Sequence, residues 1–87
     1  MLESIKMALR IKSSAFNEEI NDLIEAAKLD LLTSGVTIIK EEDPLLKSAI
    51  TIYCKANFGL DNKDSEKYQE SYESIKKKLA LCGEYNV

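Results

Sequence analysis

Four stretches of the chain repeat apolar residues at helical spacing, and the gaps between them hold residues that start and stop helices. Between Met1 and Ile11, the residues Leu2, Ile5 and Leu9 share one side. Lys6, Arg10 and Lys12 gather toward the C-terminal end of this segment, where the helix dipole favours cations. So short a helix is marginal in isolation and must dock on the rest of the chain. Ser13 or Ser14 is placed to cap a second helix over residues 15–33. On it Phe16, Ile20, Leu23, Ile24, Ala27 and Leu31 fall within an arc of about 100°. Glu18, Glu19, Asp22 and Glu25 fall on the opposite side, and Gly35 fits the position just past the C-cap.

Val36-Thr37-Ile38-Ile39 is a β-branched run that favours extended backbone, but no mate is evident, and with Lys40, Glu41 and Glu42 it reads as a connection. Asp43-Pro44 is a helix start, with Asp as N-cap and Pro in the first helical position. The third helix then runs to about Phe58 and stops at Gly59. Its apolar residues Leu45, Leu46, Ala49, Ile50, Ile52, Tyr53 and Ala56 cover about 160° of the circumference. That width predicts the central helix, with Ile52 and Ala56 nearly inaccessible and Lys47, Thr51 and Lys55 on the wet side. Leu60 to Lys63 reads as a turn, with Asp61, Asn62 or Asp64 as cap. In a fourth helix Tyr68, Tyr72, Ile75 and Leu79 make a narrow heptad-like seam, ended by Gly83 and followed by a short tail, Glu84 to Val87.

The expected fold is therefore all-α: a small bundle of four main helices in a single domain, residues 1–87. The expected core is Phe16, Ile20, Leu23, Ile24, Ala27, Leu45, Ala49, Ile52, Tyr53, Ala56, Tyr68, Tyr72, Ile75 and Leu79.

Composition narrows the chemistry. The 87 residues hold no histidine and no tryptophan, which excludes a His-dependent hydrolase, His-ligated zinc and a His proton shuttle. Twelve basic against fifteen acidic residues give a net charge of −3, the wrong sign for a domain that wraps nucleic acid. Cys54 and Cys82 form no C-x-x-C and read as two reduced thiols, structural rather than reactive, before they read as a disulfide. No apolar run approaches the length of a membrane span, and the N-terminus has no apolar signal core, so a soluble protein made in the cytoplasm is expected.

No constellation for catalysis stands out. Glu18, Asp22 and Glu25 line one helix face at i, i+4, i+7, which reads first as solvated acidic surface. The sharper reading, a carboxylate metal site, lacks a matching pair on another helix. Tyr53, Tyr68 and Tyr72 read as core residues before they read as a stacking platform for single strands. Lys76, Lys77 and Lys78 complement the C-terminal dipole of the last helix, and they are also candidates for a partner-facing basic spot. Leu29 falls in the middle of the acidic face with Leu32 beside it, either capping the helix end against the next loop or marking a protein contact. Leu29, Leu32, Glu18, Asp22, Glu25, Lys76, Lys77 and Lys78 are the candidate assembly contacts; no catalytic, cofactor or metal residue is assigned. An interaction protein is expected rather than an enzyme.

The order of these pieces also carries a resemblance. It runs through Phe16-Asn17-Glu18-Glu19-Ile20-x-x-Leu23-Ile24-x-x-Ala27 and then Asp43-Pro44-Leu45-Leu46-Lys47-x-Ala49-Ile50. Next come Tyr53-Cys54-Lys55-Ala56-Asn57-Phe58-Gly59-x-Asp61-Asn62 and Tyr68-x-x-Ser71-Tyr72-Glu73-x-Ile75-Lys76, with Leu79, Leu81, Gly83 and Tyr85. Over nearly its whole length the chain resembles the small head-tail connector, or DNA packaging, proteins of tailed bacteriophages. The resemblance implies a non-enzymatic structural subunit without cofactors, placed at the virion head-tail junction after assembly in the host cytoplasm. Its implied partners are further copies of itself in a ring of about twelve, the portal protein, and a tail-side connector or stopper. DNA would pass through the ring without sequence-specific binding, and an acidic lining would let it slide where a basic one would hold phosphates. The rival reading is a small helical adaptor or regulator that binds one protein partner.

Overall fold

The computed structural model describes residues 1–40, 42–59 and 63–85. Its helices are α1 (Leu2–Leu9), α2 (Asn17–Thr33), α3 (Pro44–Asn57) and α4 (Ser65–Leu81), with one 3-10 turn at Ser14–Phe16. No strand occurs among the described residues, so the fold is all-α. α3 packs against α2 on one side and α4 on the other, and α1 lies across α2 and α3. Buried side chains from all four helices meet around α3: Ile5 from α1, Ile20, Ile24, Ala27 and Leu31 from α2, and Tyr72 and Leu79 from α4. Leu23, Tyr53 and Ile75 sit half-buried at its margin, while the half-buried ring of Tyr68, expected in the core, lies outside that cluster against the Lys55 ammonium.

The helix ends follow from local chemistry. Ser13 caps the 3-10 turn, its hydroxyl accepting from the Ala15 N–H at 3.0 Å. α2 ends in a Schellman arrangement: the Val36 N–H reaches the Leu31 carbonyl at 2.9 Å and the Gly35 N–H reaches that of Leu32 at 3.2 Å. Gly35 sits at φ 106°, a conformation that costs an L side chain strain. Asp43 caps α3 with one carboxylate oxygen, which accepts from the N–H groups of Leu45 at 2.9 Å and Leu46 at 3.3 Å. Its other oxygen accepts from the Tyr85 hydroxyl at 3.0 Å, while the Tyr85 carbonyl accepts from the Ile38 N–H, also at 3.0 Å. The Tyr85 end of the expected tail is thus pinned between the α2–α3 connection and the start of α3, and the β-branched run contributes a buried Val36 rather than a strand. The turn residues Leu60, Asp61 and Asn62 lie outside the described residues; Asp64 occupies the N-cap position of α4, without a side-chain cap bond.

Three expectations need correcting. The fully buried stripe of α3 is Leu46, Ala49, Ile50 and Cys54; Ile52 and Ala56 are only half-buried, and Leu45 is 42% exposed. α3 is apolar around so much of its circumference that the pattern left its phase open, and contact with both α2 and α4 chose the i, i+3, i+4, i+8 row. The same flanking contacts leave Lys47, Thr51 and Lys55 half-buried rather than wet. Phe16 is 45% exposed because it closes the 3-10 turn, where a 100° phase no longer applies. Its ring instead meets Phe58 edge-on, with centroids 5.6 Å apart.

Candidate assembly surface

The buried positions of α2 recur at 20, 24, 27 and 31. Residues 18, 22, 25, 29 and 32 lie roughly 150° around the helix from that row, at 100° per residue. Glu18, Asp22, Glu25, Leu29 and Leu32 are accordingly all exposed on the face turned away from α3. Leu29 is 60% and Leu32 47% exposed. The stripe is acidic toward the start of α2 and apolar toward its end. Lys28 leans back over it, 3.7 Å from the Glu25 carboxylate, a solvent-screened pair of little energetic weight. The leucines do not seal the helix end, which Gly35 and Val36 close through the backbone.

The basic triplet divides. Lys77 and Lys78 face water, but Lys76 turns inward and is largely covered. Its ammonium lies 3.0 Å from Asp30 Oδ2 and 3.0 Å from Glu73 Oε2. The Tyr72 hydroxyl donates to the same Asp30 oxygen at 2.6 Å, Tyr53 packs edge-on against the Tyr72 ring at 5.1 Å, and the Lys76 ammonium lies 5.3 Å from that ring's centre. Partial burial pushes the Asp30 carboxyl up, but the Tyr72 hydroxyl and Lys76 outweigh it and hold the group below its ordinary range. Burial pulls Lys76 down, and its bonds to Glu73 and Asp30 more than reverse that. Burial and the Asp30 carboxylate together push the Tyr72 phenol far above its usual value. This knot joins α2 to α4 across the edge of α3. It removes Lys76 from the candidate contacts as a solvent-facing cation, and no residue near Asp30 in the sequence gave a sign of it.

The remaining chemistry is sparse. Cys54 is buried and its thiol is pushed up to about 12 by desolvation, so almost none is thiolate at neutral pH. Cys82 is half-buried, and neither cysteine is in a disulfide. Among the described residues no acidic or thiol cluster could hold a metal ion. No helix is long and apolar enough to cross a membrane.

Neither the curated proteins nor the solved structures contain a match to this chain. The family model described as phage connector protein matches residues 1–86, a span that takes in all four helices, the α2 stripe and the Asp30 knot. The chain is therefore a member of the phage connector protein family.

Proposed function

We propose that the protein is a head-tail connector subunit that assembles into a ring beneath the portal of a tailed phage or prophage, extends the DNA channel and gives tail-side components a docking platform. Family membership supplies the frame. The observation that carries the reading within it is the exposed pair Leu29 and Leu32 continuing an acidic stripe on the outer face of α2. Apolar groups kept in water on a well-packed small domain suit a contact with another subunit, with Glu18, Asp22 and Glu25 as its polar rim. Lys77 and Lys78 at the end of α4 are a second candidate contact. The role is structural and non-catalytic, and DNA passes without sequence-specific binding.

The test is co-purification with the portal protein of the same phage, followed by particle mass and imaging. A ring that binds the portal is the expected result. A monomer or dimer that stays one in the portal's presence, or that captures a single non-virion protein instead, would favour the small-adaptor reading and overturn this one.

A further inference from the structure

Apart from the α2 stripe, the C-terminal ends of α1 and α3 and the start of α4 line an open groove. Each contributes a cation: Arg10 after α1, Lys55 on α3 and Lys63 just before α4. Phe58 and Tyr68 supply its aromatic wall, and the Lys55 ammonium stands 5.6 Å from the centre of the Tyr68 ring. Arg10 is held there at φ 60°, ψ 40°, the left-handed conformation in which glycine is the low-strain residue. An arginine in that position costs the subunit stability and places a guanidinium at the groove.

Resting on the ring reading above, we propose that this groove receives the α2 stripe of a neighbouring copy of the chain. Glu18, Asp22 and Glu25 present three carboxylates along about 10 Å of helix, opposite in sign to Arg10 and Lys63. Phe58 and Tyr68 offer apolar surface to the leucines that continue the stripe. No residue of α2 lines the groove, and the stripe faces away from α3, so the occupant comes from a second copy. Two different, mutually complementary patches on one subunit are what a head-to-tail ring contact requires. The charge pattern sets its register and makes it salt-sensitive.

The experiment uses the full chain and reads assembly by sizing and particle mass, alone and with the portal. One variant reverses the groove (Arg10→Glu with Lys63→Glu) and a second reverses the stripe (Glu18→Lys with Asp22→Lys). Each is expected to melt as the parent does and to fail to assemble, whereas an equimolar mixture of the two assembles again as alternating subunits. If a reversed variant does not fold, Arg10→Gln with Lys63→Gln replaces it, with assembly expected to weaken about tenfold or more at low salt. Arg10→Gly separates strain from contact: the melting temperature holds or rises while assembly weakens. Normal assembly of both reversed variants, or no recovery in the mixture, overturns the contact and leaves the ring reading standing. So does binding of a short DNA duplex that the groove-reversed variant loses while still assembling, since nucleic acid would then be the occupant. Failure of the unmodified chain to assemble even with the portal overturns the ring reading and this contact together.

Discussion

Leu29 and Asp30 are neighbours on α2, and only one of them finds a partner inside the subunit. Leu29 stands in water, while Asp30 turns toward α4 and takes the Tyr72 hydroxyl at 2.6 Å and the Lys76 ammonium at 3.0 Å. On α4 the contrast repeats: Lys76 is drawn inward, and Lys77 beside it is solvated. The inward charges are matched and fasten two helices that share little direct packing. The outward leucines stand exposed on their own subunit. Polarity that is satisfied within the subunit supports the fold; polarity left unsatisfied points to what lies outside it.

The contrast breaks most visibly at Tyr72, a fully buried ring. Tyr72→Ala is expected to cost about 3–5 kcal/mol in denaturant unfolding, through the cavity and the loss of the knot. A loss under about 1 kcal/mol would mean that α2 and α4 are held together elsewhere. Tyr72→Phe keeps the ring and removes only the hydroxyl. The expected loss is about 1 kcal/mol, below the usual range for a bond to a charged group because water reaches Asp30.

The two thiols sharpen the same division between inside and outside. In the native protein Cys82 should react with a thiol reagent while Cys54, buried and with its thiol at about 12, stays silent until unfolding. Equal native rates would contradict the burial of α3. Changing both cysteines to serine should leave assembly intact, at a packing and desolvation cost of about 1–3 kcal/mol centred on Cys54.

The pH dependence is smaller. Asp30 titrates lower in the folded chain than in the unfolded one, so in the acid range the unfolded chain binds more protons and stability rises with pH. The contribution is complete above the ordinary carboxylate range of about 4 and is lost as pH falls through the folded value. Lys76 works in the other direction, its share persisting until pH rises through its raised folded value. Asp30→Asn should flatten the acid limb of a stability–pH curve in part, the remainder including Asp43, which Tyr85 and the α3 backbone also hold low despite some desolvation. An unchanged acid limb would show that the Asp30 knot does not contribute to folding.

Leu29→Lys has the least effect on the subunit, within about 0.5 kcal/mol by melting, as expected for an exposed site. Its effect on assembly should be complete, because the contact would bury an unpaired charge. Normal ring formation by this variant would move the contact to another face, with Lys77 and Lys78 next to be changed.

Most of the helices could be read from the chain because their signals are local. Asp43-Pro44 starts a helix through its own carboxylate and ring, Gly35 stops one by tolerating a positive φ, and the row Ile20, Ile24, Ala27, Leu31 needs only one apolar side. The outward position of Glu18, Asp22, Glu25, Leu29 and Leu32 followed from the same periodicity. α3 was legible as central but not in its orientation, because Leu45, Ile52 and Ala56 are as apolar as the residues that displaced them from the core.

What the chain determined by itself was therefore what depends on residues within a few positions of one another: four helices, the stop at Gly35, the start at Asp43-Pro44 and the polar side of α2; the 3-10 turn that delays the start of α2 to Asn17 was not among it. Tertiary structure alone decided what depends on partners distant in sequence. Asp30 meets Tyr72 and Lys76 across more than forty residues, Asp43 meets Tyr85 across a similar gap, and Arg10, Lys55 and Lys63 share a groove only because α1, α3 and α4 converge. Hydrogen bonds and charge clusters of this kind leave no periodic trace in the sequence, since each side chain is oriented by the packing of helices whose relative positions local propensity does not encode.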